Sequence, residues 1–174
     1  MDNEKLAQKN PVTYRRATIA DKAALINLSI DAYTAFSGQL SGADQQTLQV
    51  ALRDEESMAA LLGMATAFVC VSERNIVGMA FVLPSGNPTA IYASDWACIR
   101  KVGVHPAFAG QGIGRMLTQM CIHHAGISGE KTIALHTSEL MHAARHIYET
   151  LGFKVLKEIA PIFGKRYWLY TMEL

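Results

Sequence analysis

Val102-Gly103-Val104-His105-Pro106-Ala107-Phe108-Ala109-Gly110-Gln111-Gly112-Ile113-Gly114-Arg115 is the stretch that decides how the chain is read. Its apolar start, with Val102 and Val104 alternating around Gly103, has strand character, and Pro106 stops the strand because it has no N–H for a ladder. Glycines at 110, 112 and 114 then let the backbone turn tightly with its amides outward. A helix beginning there adds unpaired donors and the positive end of a dipole. Ile113, Met116, Leu117, Met120, Cys121 and His124 recur at helical spacing, leaving Arg115, Thr118, Gln119 and His123 for another face, and Gly126 and Gly129 are expected to end the helix. The unit is strand, turn, helix, and an anionic ligand is expected on the turn.

Two common phosphate cradles fit this stretch badly. No window supplies the Lys-Ser/Thr pair that closes a Walker loop. Gly110-Gln-Gly-Ile-Gly-Arg has its third glycine one position too early for a dinucleotide fingerprint. Such a fingerprint also usually opens its domain, whereas here about a hundred residues precede it, although Glu139 past the next strand could imitate the ribose-binding acid.

Val-Gly-Val-His-Pro followed by Gly-Gln-Gly-Ile-Gly-Arg-Met-Leu resembles the acetyl-CoA-binding motif of the GNAT (GCN5-related) N-acetyltransferases. Further on, Ala144-Arg-His-Ile-Tyr148-Glu-Thr-Leu-Gly152-Phe153 resembles the family's second signature, a short helix with a tyrosine followed by Leu-Gly-Phe. The likeness runs from about Val12 to the C-terminus. It implies a GNAT-like α/β domain of α+β type, with a mixed, mostly antiparallel sheet of about seven strands, a parallel central pair and about four flanking helices. It also implies acetyl-CoA as cosubstrate, with backbone groups of Val102 and Val104 pairing with the pantetheine amides. The residues Ala109, Gly110, Gln111, Gly112, Ile113, Gly114 and Arg115 would hold the pyrophosphate. At the position of Ala109 the family usually has Gln or Arg, and at that of Met141 often Asn, so here only backbone contacts are expected at both.

Working outward, 174 residues of which 50% are hydrophobic suffice for one domain with a real core, expected over residues 11–174 behind a flexible N-terminus at 1–10. Sixteen basic against fifteen acidic residues leave a net charge of +1, which argues against a nucleic-acid partner. Cys70, Cys98 and Cys121 lack C-x-x-C spacing and fall in apolar segments, which favours free thiols in a reducing, cytoplasmic compartment. The start of the chain lacks a signal-peptide core, and the uncharged run 57–72 falls short of a membrane span, so no membrane association is expected.

Val12 to Ala17 reads as a first strand. Asp21 can cap a helix through Phe36, and a second helix is expected from about Asp44 to Leu62. In the resembling family the polar loop between them, flanked by Tyr33 and Phe36, would help line the acceptor pocket. Thr66–Ser72 and Ile76–Leu83 form an expected hairpin. A long strand from Ile91 to Val104 leads to the anion turn, and Thr132–Thr137, a helix over Ala143–Leu151 and two final strands, Phe153–Ile159 and Lys165–Met172, complete the pattern. A strand, helix, strand crossover makes the strands on either side of the glycine helix parallel.

The implied chemistry is attack of an amine on the acetyl thioester in a ternary complex. It calls for a proton acceptor beside the amine and a donor beside the departing thiolate. Tyr148 is the expected donor, its phenol being neutral at pH 7; the competing view is a core tyrosine on an amphipathic helix. His136, on the strand entering the Tyr148 helix where some family members carry a Glu, is the expected acceptor on the strength of an ordinary pKa near 6.5. A structural histidine is the alternative, and Asp95, Glu139 and water are rivals for the base. His142 and His146 are i, i+4 on a helix but lack a third ligand at recognisable spacing, so no metal is expected. Two functional classes remain: an N-acetyltransferase acting on a small-molecule or peptide amine, and a non-catalytic coenzyme-A-binding sensor or interaction module. Dimers are frequent in the family, so a homodimer is compatible with either.

Overall fold

The computed structural model describes residues 11–174, and the N-terminal segment 1–10, expected to be flexible, lies outside the described residues. Seven strands form one sheet: β1 (Val12–Arg16), β2 (Thr66–Ser72), β3 (Asn75–Leu83), β4 (Ala97–Val104), β5 (Thr132–Ser138), β6 (Lys154–Ile162) and β7 (Lys165–Glu173). Their spatial order is β1-β2-β3-β4-β5-β7-β6, antiparallel throughout except for the central β4–β5 pair. Five helices cover it: α1 (Lys22–Ser37), α2 (Gly42–Leu52), α3 (Glu55–Met64), α4 (Ile113–Ile127) and α5 (His142–Leu151). No helix among the described residues is long and apolar enough to cross a membrane.

Strand alternation divides the core in two. On one face Phe68, Cys70, Val82, Ala97, Ile99, Ile133 and Leu135 pack against Ile113, Leu117, Cys121 and Ala125 of α4 and Tyr148 of α5. On the other, Ala67, Val69, Met79 and Phe81 pack against Leu25, Ile26 and Leu28 of α1 and Met58 of α3, and Cys98, Ala134 and Leu169 continue that face under Tyr92. The contact that seats α4 is at Gly78, where an added Cβ would lie 2.6 Å from the Ile113 side chain and 3.0 Å from that of Leu117. Only a glycine lets the first turn of α4 approach β3 this closely.

Five expectations are corrected. The strand before the anion turn begins at Ala97, not Ile91: the Thr89 hydroxyl accepts the amides of Ile91 (3.2 Å) and Tyr92 (3.1 Å) and folds that segment into a turn. The helix expected over 44–62 is two helices, because Asp54 is extended and its carboxylate caps α3 through the Ser57 amide at 3.1 Å, so there are five helices rather than four. Asp21 is not a simple cap: a 3-10 turn over Ile19–Asp21 precedes α1, and the Asp21 carboxylate accepts the Thr18 amide at 2.8 Å. In α4 the buried stripe is rotated, with Met116 44% exposed and Thr118 fully buried, its hydroxyl donating to the Gly114 carbonyl at 2.8 Å. The helix also passes through Gly126 to Ile127, and Gly129 follows with φ +86°.

Candidate functional site

β4 and β5 pair only at Ala97 with Ile133 and Cys98 with Ala134; beyond that they part. The cause lies in β4, where Arg100 is opposite Phe81 but Gly103 is opposite Met79, so one extra residue bulges out, and Lys101 there has φ +49°. A bulge bends its strand and ends its pairing. Past it, Val102 and Val104 carry backbone groups with no strand partner on the β5 side.

At the mouth of this gap the chain turns through a 3-10 turn, Pro106–Phe108, and enters α4. Gly110 and Gly112 take φ +74° and +81°, and nothing lies within 4 Å of a Cβ added at either. Among the described residues, the first amide of this run to find an acceptor is that of Met116, on the Gly112 carbonyl at 3.0 Å; those of Gly110 to Arg115 find none. Six consecutive free donors at a helix N-terminus suit a pyrophosphate-sized anion by geometry and dipole alike. The Arg115 side chain instead points to α5, donating to the Thr150 hydroxyl at 2.8 Å. Ala109 is exposed and Met141 occupies the N-cap position of α5.

Tyr148 stands on α5 inside the core, 6% exposed and edge-on to Phe153 at 6.0 Å, with Gly152 (φ +106°) ending the helix behind it. Its hydroxyl makes no hydrogen bond within the described residues and is not sealed off as a buried orphan. Burial pushes its pKa up, with Tyr33, Cys121 and Tyr92 adding to the rise. The phenol is protonated at neutral pH.

Across the gap, His136 of β5 lies in a cluster of aromatic and cationic side chains. Its Nδ1 is 2.5 Å from the Tyr92 hydroxyl, and its ring is 5.9 Å from that of Tyr167. The Arg100 guanidinium is 6.0 Å from the centre of the Tyr92 ring, and the Tyr33 hydroxyl donates to the Val102 carbonyl at 3.5 Å. Burial, aided by the Arg100 charge, holds His136 down at about 4. The premise of an ordinary histidine pKa is thereby corrected: this imidazole is neutral throughout the physiological range and a weak base. Asp95 is exposed in the turn before β4, at the end of that strand remote from the anion loop. The Glu139 carboxylate accepts the Arg166 amide at 3.0 Å. His142 and His146 are exposed on α5.

Sequence reasoning missed Tyr92, Arg100 and Tyr167. Tyr92 is 3% exposed in a loop read as strand, and Arg100 follows Cys98 on the inward alternation of β4, the one signal that would have marked it. Three surface clefts, of about 360, 280 and 470 Å³, are lined by neither Tyr148 nor His136. The candidate site lies where β4 and β5 part.

The sequence model of the acetyltransferase (GNAT) domain matches residues 64–155. A mycothiol acetyltransferase of Gordonia bronchialis is 32% identical over 84 residues, which is 44% of this chain and 27% of that protein, so the match spans about a quarter of the relative's length. The PaiA N-acetyltransferase of Thermoplasma acidophilum, solved in complex with coenzyme A, superposes with a TM-score of 0.76 at 13% identity, covering 94% of this chain and 99% of that one. The ribosomal-protein-S18-alanine N-acetyltransferase of Escherichia coli superposes with a TM-score of 0.70 at 18% identity over 94% of both chains.

Proposed function

The chain belongs to the GNAT acetyltransferase domain family, and from that premise we propose that it transfers the acetyl group of acetyl-CoA to a primary amine of a small molecule or peptide, in a ternary complex. The observation that carries this reading is the slot between β4 and β5, which opens at one end onto the free amides of Gly110 to Arg115 and has Tyr148 along its side. A linear ligand with a diphosphate at one end and a thioester at the other suits that shape. Val102 and Val104 offer it backbone groups in place of the missing strand, and the loop from Ala109 to Arg115 offers the anion donors.

In the reaction the amine nitrogen bonds to the thioester carbon, the carbon–sulfur bond breaks, and the sulfur takes a proton. Tyr148 supplies that proton: its raised pKa keeps it protonated, and its hydroxyl is uncommitted. The amine must also lose a proton. His136 takes it directly only if Nδ1–H donates to Tyr92 and leaves the Nε2 lone pair free. With its pKa near 4 it serves better by orienting a water that carries the proton away. Tyr148, buried yet unpartnered, favours catalysis over a binding-only role, since a sensor has no use for an acid at the sulfur. We place the reaction in a reducing, cytoplasmic setting because Cys70, Cys98 and Cys121 are all buried and free.

The test is a screen with labelled acetyl-CoA against pooled amines, read alongside calorimetric titration of acetyl-CoA. Transfer to at least one pool, with micromolar coenzyme affinity, is expected. Failure of both measurements would sink the reading.

A further inference from the structure

On the acceptor side of the slot the charges are unbalanced. Arg100 is half-buried against Tyr92, and Lys101 follows it on the bulge, itself half-buried. Among the described residues neither has a salt-bridge partner. The carboxylate whose charge reaches Lys101, Asp54, is engaged in capping α3. A guanidinium withdrawn from water without an anion is costly, and an aromatic face offsets only part of that cost. The groups around it, the hydroxyls of Tyr33, Tyr92 and Tyr167 and the imidazole of His136, carry no charge to balance it at neutral pH. Burial chiefly, and the charge of Arg100 after it, shift Lys101 downward, against the opposing charge of Asp54.

We propose that Arg100 holds a carboxylate of the acceptor and determines its class: the substrate is an α-amino acid or a close derivative that keeps its free carboxylate, not a polyamine or a lysine side chain. The proposal rests on the acetyltransferase reading and narrows it. Arg100 suits the task because its planar fork binds a carboxylate through two parallel hydrogen bonds. A polyamine would bring further positive charge to a corner that already holds two cations, whereas a zwitterion neutralises Arg100 as it binds. The same guanidinium disfavours the ammonium form of the bound amine, which helps produce the neutral nucleophile. It is a specificity residue rather than a catalytic one.

The experiment uses the whole chain and matched acceptors: a pool of amino acids, the same amino acids as amides, and spermidine, assayed by thiol release from acetyl-CoA. Wild type is expected to favour the acids by at least about tenfold in kcat/KM, the span of a charge-assisted hydrogen bond. Arg100→Gln should erase that preference, chiefly by raising KM for the acids, with coenzyme affinity nearly unchanged, and Arg100→Lys should restore part of it. Equal use of acids and amides, preference for spermidine, or an Arg100→Gln loss that falls alike on acids and amides would overturn the assignment. Tight coenzyme binding with no acceptor used overturns this assignment alone. Absence of coenzyme binding and of transfer overturns the acetyltransferase reading, and the two failures are therefore distinguishable.

Discussion

The two ends of the slot are built on different principles. The anion loop is made of backbone: a few consecutive residues, two of them glycines at positive φ, present amides that need no particular side chain. The acceptor corner is made of side chains drawn from α1, the loop before β4, β4, β5 and β7, namely Tyr33, Tyr92, Arg100, His136 and Tyr167. A site made of backbone leaves its pattern in one contiguous stretch, whereas a site made of side chains exists only once the sheet has ordered its strands. Tyr148 stands between the two, and its substitution is the sharpest way to separate them.

Tyr148→Phe keeps the ring and its edge contact with Phe153 and deletes only the donor. Turnover is expected to fall about 100-fold or more while acetyl-CoA affinity, set by the loop, hardly changes. Steady-state kinetics with calorimetry would show the split. Full activity in this variant would leave the thiolate to depart without help and remove Tyr148 from the chemistry.

Gly112→Asp attacks the backbone end. There is open space for the new Cβ, so the penalty comes from φ +81° and from a carboxylate set beside the bound anion. Coenzyme affinity should drop at least tenfold, about 1.4 kcal/mol. An unchanged Kd in a folded variant would move the ligand off this loop.

The same contrast governs what the sequence made legible. The glycine turn, the Tyr148 helix with its Gly152 stop, the β2–β3 hairpin and the parallel crossover all follow from local pattern, and all are present. The bulge at Lys101 is not legible, because nothing in Arg-Lys-Val marks a residue that takes positive φ under the demand of its neighbours. Without that bulge the slot cannot be foreseen. The segment 91–96 reads as strand because Ile91 and Tyr92 are good strand formers, and the Thr89 hydroxyl outweighs that propensity. The depressed basicity of His136 is a product of burial beside Arg100, two residues that lie far apart in sequence.

Ala109→Arg asks whether the backbone loop is complete as it stands. Ala109 is exposed with φ −59°, so any residue fits without strain, and a guanidinium there could add a charge-assisted hydrogen bond to the bound anion. Binding should tighten by roughly 1 kcal/mol, about fivefold, in a partly exposed setting. An equal or weaker Kd would mean that the amides alone saturate the interaction.

The smallest expected effect is at His136, and its smallness is the point. An ordinary histidine base would impose a rise in rate through pH 6.5. Here the folded-state pKa is depressed to about 4, so between pH 6 and 8 the imidazole does not titrate and contributes no limb to the rate profile. The sign for stability follows: the native state keeps His136 neutral while the unfolded chain takes up its proton below about 6.5, so stability from this group is fully present above that pH and is lost as pH falls toward 4. His136→Gln should therefore leave the shape of the neutral rate profile unaltered and flatten the acid loss of Tm between pH 6.5 and 4. Arg100→Gln, by removing a repelling charge, should raise the His136 pKa as followed by NMR of the imidazole. A neutral-pH limb that vanishes in His136→Gln would show that the occupied site returns the imidazole to the ordinary range, and the side-chain end of the slot would then supply the base itself rather than orient a water.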